Sequence, residues 1–203
     1  MKKRLHFSLL FLGLVIFGFG LASSTGYNTY YVSETDSVEN ASSSEAFDKM
    51  MQVLTHERCV NCHPNDNVPK QGADSHPHYF GITRGDENMG YQATNCATCH
   101  QSENNDYSGV PGAPEWSLAP DKMKWEGLSR VEIAKSMMDA ERNGGRTPEE
   151  TLHHLTEHEL VLWAWNPGLD ANGNLREVPP VPKDEYIAAV KEWFENGAVI
   201  PSE

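Results

Sequence analysis

The 203 residues, 38% of them hydrophobic, with a mean hydropathy of −0.56, suit a single domain. They leave little apolar material for a core made of side chains alone. A formal charge of −13 argues against nucleic-acid binding and suits solubility or steering onto a basic protein partner. Twelve prolines and sixteen glycines announce much irregular backbone.

Residues 1–22 read as a targeting segment. Lys2, Lys3 and Arg4 precede an apolar run from Phe7 to Ala22, the layout of a cleaved secretory signal or of an uncleaved N-terminal anchor. In the second case residues 5–22 form an inner-membrane tether. No Cys follows the run, which excludes a lipoprotein anchor. Both outcomes put the rest of the chain outside the cytoplasm, in the periplasm of a two-membrane cell. Residues 23–44 are polar, without helical period, and read as a linker.

The remaining segment, 45–203, is the functional domain. A helix is expected from near Ser44, with Phe47, Met50, Met51 and Leu54 at helical spacing. Residues 64–128 are expected to be mostly irregular, broken by six prolines from Pro64 to Pro120. A second helix is predicted over 129–141, with Ser129 and Glu132 as a capping box. A third runs from the Thr147-Pro148 start to about Trp165. A fourth covers 183–196, with Tyr186, Ile187, Val190 and Phe194 on one face. The fold class is therefore mainly α with extensive irregular loops and no convincing strand pair.

All four cysteines lie in two Cys-x-x-Cys-His motifs, Cys59-Val60-Asn61-Cys62-His63 and Cys96-Ala97-Thr98-Cys99-His100. This is the pattern of covalent c-type haem attachment. Two thiols bind one porphyrin edge, and the following His becomes the proximal iron ligand. Zinc is the first rival, but the pairs lie farther apart than in a zinc ribbon, and a His after both would be coincidence. Two disulfides or a thiol redox pair are the others; neither motif has the strand-to-helix setting of the latter. Two haem c groups would also supply the apolar bulk that the composition lacks.

Distal ligands must come from elsewhere. His76 and His78, in His76-Pro77-His78 between the motifs, sit where a loop can fold back over a haem. His154 shares the third helix with His153, near Leu152, Leu155 and Leu162, and a buried His needs a partner. Met123 is the thioether candidate, which would raise the potential. His56, three residues before Cys59, reads as a surface or haem-edge residue. Trp116, Trp125, Trp163, Trp165 and Trp193 read as core and haem packing, with a partner-docking patch as the alternative.

The segment from Phe47 to Pro64, taken with Tyr186 through Ala198, resembles the paired N- and C-terminal helices of class I cytochromes c. Over about 57–200 the chain also resembles small dihaem proteins often labelled subunits of isoquinoline 1-oxidoreductase. The matching pieces are both haem motifs, His76-Pro77-His78, Pro111 through Trp116, Met123 through Ser129, Arg142 through Arg146, and Leu160 through Gly168. The resemblance implies class I-like helices around two covalent haems and points to His76, His78, Met123 and His154 for haem contact. That family often has His at the position of Ser117. The expected function is electron transfer between an extracytoplasmic dehydrogenase and a respiratory acceptor, with redox proteins as partners and no catalytic residues. The alternatives are a dedicated cytochrome subunit of a molybdenum hydroxylase, a small dihaem peroxidase with one five-coordinate iron, and a tethered structural or sensory domain.

Overall fold

The computed structural model describes residues 34–202; the targeting segment 1–22 and the start of the linker lie outside them. The protein is mainly helical, with 40% helix and few strands. In chain order the helices are α1 (Glu34–Leu54), α2 (Glu57–Val60), α3 (Arg130–Met138), α4 (Pro148–Glu157), α5 (Glu159–Leu162) and α6 (Lys183–Glu195).

α1 presents Ala46, Phe47, Met50, Met51, Val53 and Leu54 to the core, a stripe at i, i+3, i+4 and i+7. α6 answers with Tyr186, Ala189, Val190 and Trp193, and these two helices form the principal helix–helix contact. Phe47 and Trp193 meet with ring centroids 6.1 Å apart. Trp193 also spends its one donor on the Val199 carbonyl at 2.8 Å, so the large indole is buried without a polar cost. The helix begins earlier than the sequence suggests: residues 34–44, read as the end of a polar linker, are its first turns. They carry no apolar stripe, so periodicity cannot report them.

α3 and α4 start as their sequences dictate. Ser129 and Glu132 close a reciprocal capping box on α3, and Thr147 and Glu150 do the same on α4, where Pro148 occupies the first turn. Between them the buried Asn143 donates to the Met137 carbonyl at 2.9 Å and accepts from the Arg146 amide at 2.8 Å. This closes a turn through Gly144 and Gly145, whose φ values of 86° and 87° side-chain-bearing residues rarely adopt. The third expected helix is not continuous to Trp165. It breaks at His158, which is extended (φ −70°, ψ 124°) between α4 and α5.

Residues 64–128 hold only two-residue strands, β1 (Lys70–Gln71) and β2 (His76–Pro77), in an antiparallel pair with Gln71 opposite His76, and short 3-10 turns. Backbone carbonyls in these loops and their neighbours are gathered by arginines instead. The buried Arg84 donates to the Ala119 carbonyl and to Asn88. Arg176 donates to the carbonyls of Leu169 and Gly109, and Arg58 to that of Glu177 at 2.7 Å. One guanidinium satisfies several acceptors, which suits loops without ladders. Replacing Trp193 with Ala is expected to lower unfolding free energy by about 3–5 kcal/mol, read from urea denaturation, with Trp193→Phe costing visibly less.

Candidate functional site

The first motif begins on the single turn α2. His56 caps it, its Nδ1 accepting from the Arg58 amide at 3.2 Å. The helical turn continues through Cys62 and His63, whose amides donate to the carbonyls of Cys59 (3.1 Å) and Val60 (2.9 Å). Both thiols therefore lie within one turn of each other, immediately before the imidazole. The segment 123–126 grips that imidazole's residue from behind. His63 donates through Nδ1 to the Met123 carbonyl at 2.8 Å. Its carbonyl accepts from the amides of Trp125 and Glu126 at 2.9 and 3.2 Å. The His63 ring lies flat on Trp125, centroids 3.6 Å apart and planes 10° apart. Because a carbonyl only accepts, the proton sits on Nδ1 and Nε2 carries the lone pair, the state a metal ligand requires. Burial pushes the His63 pKa down to about 4, with the Arg84 and Arg146 charges adding to the effect against the Met123 bond.

The second motif repeats the device. Asn95 caps the Cys96–Thr98 turn by accepting from the Ala97 amide at 2.9 Å. The His100 amide donates to the Cys96 carbonyl at 2.9 Å. His100 donates through Nδ1 to the Pro111 carbonyl at 2.7 Å and stacks on Trp116, 4.5 Å away and only 5° from parallel. Its pKa is likewise lowered, by burial first. Trp125 and Trp116 pack against these imidazoles, whereas the carbonyl acceptors leave no mark in the sequence, since any residue type can supply them.

All four thiols are free. Burial raises Cys59 to about 12 and Cys62 to about 11, helped by the neighbouring thiols, Cys62 on Cys59 and Cys96 on Cys62. The two motifs thus lie within electrostatic reach of each other. Thiols held this far from ionisation are poor nucleophiles and poor starting points for thiol redox exchange.

The distal candidates separate clearly. His78 bonds its own neighbour's carbonyl, Tyr79, through Nδ1 at 2.9 Å. Its ring centroid is 6.0 Å from that of His100. Two imidazoles on one metal ion, with bonds of about 2 Å, would have centroids at a comparable separation, which keeps His78 a candidate partner of His100. His76 differs: Nδ1 meets Asp74 at 2.6 Å and Nε2 meets the Gln71 amide at 3.0 Å, so both ring nitrogens are committed to the β1–β2 hairpin. Met123, expected as a thioether donor, instead serves through its carbonyl. It is buried on the Nδ1 side of His63, and its sulfur accepts from the Ser136 hydroxyl at 3.4 Å. His154 is held to a pKa of about 3 by burial first, then by Arg146, His158 and His63. It lines a cavity of about 600 Å³ with Arg146, Glu149, Glu150, His153 and His158. His56, Glu57 and Glu177 also bring three ligand atoms within 4.8 Å of one another, and the neighbouring Arg58 guanidinium donates to the Glu177 backbone carbonyl at 2.7 Å.

The surroundings of the first motif fit a bound group that carries acceptors. The Trp125 indole nitrogen, on the ring stacked against His63, is buried without a partner, and so is the Tyr186 hydroxyl, whose pKa burial raises, with nearby Cys59 adding to the effect. Buried unpaired donors are costly, and carboxylates of a bound haem would satisfy them. No family model, curated protein or solved structure matches this chain.

His63 and His154 are neutral in the folded protein but ordinarily protonate near 6.5. The unfolded chain therefore binds more protons below that pH, and stability falls as pH drops toward about 4 for His63 and about 3 for His154. For His63 the loss is on the order of 3 kcal/mol. The urea midpoint is expected to drop across this range, and His154→Gln is expected to flatten the slope.

Proposed function

We propose that this chain is an exported dihaem c-type cytochrome that carries single electrons between an extracytoplasmic dehydrogenase and a respiratory acceptor. The observation that carries this reading is the twice-built imidazole. At each Cys-x-x-Cys-His motif the His donates Nδ1–H to a loop carbonyl, lies flat on a tryptophan and keeps Nε2 as its lone-pair atom.

Cys59 and Cys62 would hold the first haem, with His63 on one face and His154 as the candidate for the other. Cys96 and Cys99 would hold the second, between His100 and His78. When bound, each haem supplies an iron that changes by one electron. The chain's own residues keep the ligand nitrogens unprotonated, fix the ring planes and exclude water from the first motif more than from the second. The close packing of α1 on α6, with Cys59 against the same core, is what a class I cytochrome c-like arrangement would require. A formal charge of −13 favours partners with a basic docking face.

With a second imidazole near each motif's histidine, His154 by His63 and His78 by His100, an electron carrier is favoured over a peroxidase, which needs one open iron. The reading as a dedicated subunit of a molybdenum hydroxylase rests on resemblance and makes the partner enzyme the donor.

The protein produced with a haem c maturation system in an exporting host is expected to give a reduced spectrum with a c-type α band and reversible oxidation without peroxide turnover. A colourless, stably folded product from that host would overturn the proposal. His78→Ala is expected to convert one centre to a high-spin signal, whereas His76→Ala leaves both low-spin.

A further inference from the structure

The supports of the second imidazole do not end at Trp116 and Pro111. Trp116 abuts Trp163 edge-on at 4.8 Å. The Trp163 indole donates to Asn104 Oδ1 at 2.9 Å, which also accepts from the Gly112 amide at 3.0 Å. The Asn104 side-chain amide in turn donates to the Asn166 carbonyl at 2.8 Å. Gly112 follows Pro111, whose carbonyl holds His100. Both contacts that orient His100 are therefore anchored on residues 163–166, just beyond the break after α4.

Glu115 makes a second connection to that break. Its backbone is left-handed, φ 57°, a conformation that costs a residue with a side chain free energy and persists only where its surroundings impose it. Its carboxylate reaches Nε2 of His158 at 3.1 Å, 43 positions away. His158 is the residue at which the helix breaks, and its ring lies 4.9 Å from that of His154. Glu115 therefore sits between two fixed points: the chain leads directly into the Trp116 ring on His100, and the side chain is tied to the end of α4, which carries His154.

We propose that Glu115 and His158 act as positioning residues. Their contact sets the plane of Trp116, and through it the plane of the His100 imidazole, from the element that carries the candidate ligand of the other centre. This rests on the reading of the two motifs as haem sites. The Glu115 side chain is 74% exposed, and a pair so exposed adds little stability. Removing it is expected to leave folding intact while altering the second centre.

The test uses the haem-loaded protein and its Glu115→Ala, Glu115→Gln, His158→Phe and Glu115→Ala/His158→Phe variants, each checked for far-UV circular dichroism and haem content by denaturing mass. EPR of the oxidised proteins and redox titration are the readouts, and His78→Ala identifies which low-spin signal belongs to the His100 centre. Glu115→Ala is expected to shift the g-values and midpoint of that centre alone. Glu115→Gln, which can still hydrogen-bond, is expected to restore most of the signal. The double variant should shift it no further than Glu115→Ala. Unchanged g-values and midpoint in Glu115→Ala, or a change confined to the other centre, would overturn the inference. Should His158→Phe fail to fold, the Glu115 variants decide alone. A wild-type protein without haem would overturn the functional reading beneath it, which is a distinguishable result.

Discussion

In the proposed reading, each imidazole that follows a Cys pair keeps its Nε2 lone pair available inside a protein that desolvates it, and much of the architecture bears on that requirement. A neutral histidine has one N–H, and the position of that proton decides which nitrogen can bind a metal. His63 and His100 each give the proton to a backbone carbonyl, Met123 and Pro111, and each ring is held against an indole face, Trp125 and Trp116. Burial then suppresses protonation of the free nitrogen. The helices are the frame for this: α1 and α6 enclose the core against which Cys59 packs, and α3 supplies Ser136, which fixes the Met123 side chain and with it the carbonyl that orients His63.

The two centres are alike in design and unequal in setting. The first is gripped by the 123–126 segment inside the helical core and lies under the influence of Arg84 and Arg146. The second is built from loops pinned by Asn104 and stacked tryptophans. In the proposed reading, positive charge near a site favours its more reduced state and exposure the more charged one; Arg84 and Arg146 act on His63 and Arg176 on His100, so the two proposed centres are expected to differ in potential. The arginines that gather loop carbonyls do in this region what strands do elsewhere.

Much of this was legible in the residues themselves. The reciprocal caps at Ser129–Glu132 and Thr147–Glu150 mark the starts of α3 and α4, and the Cys-x-x-Cys-His spacing marks the two imidazoles that the fold holds by their Nδ1 atoms, because each is a local arrangement with its own physical rule. The apolar face of α6 was equally readable. Other features were not, for identifiable reasons. Residues 34–44 form helix without an apolar stripe, so no period betrays them. The break at His158 coincides with a side-chain contact to Glu115, distant in sequence. Met123 looks like a thioether donor because sequence shows its sulfur but not its carbonyl. His76 and His78, equal candidates in sequence, diverge only once the hairpin commits both nitrogens of His76.

The four free thiols and the two oriented imidazoles together are proposed to hold two covalent haems. Intact-mass measurement of the exported protein under denaturing conditions tests this proposal most directly. The expected result is the mass of the chain plus two haem groups, with no thiol left to alkylate. A chain carrying no added mass, with four alkylatable thiols or two disulfides, would contradict it.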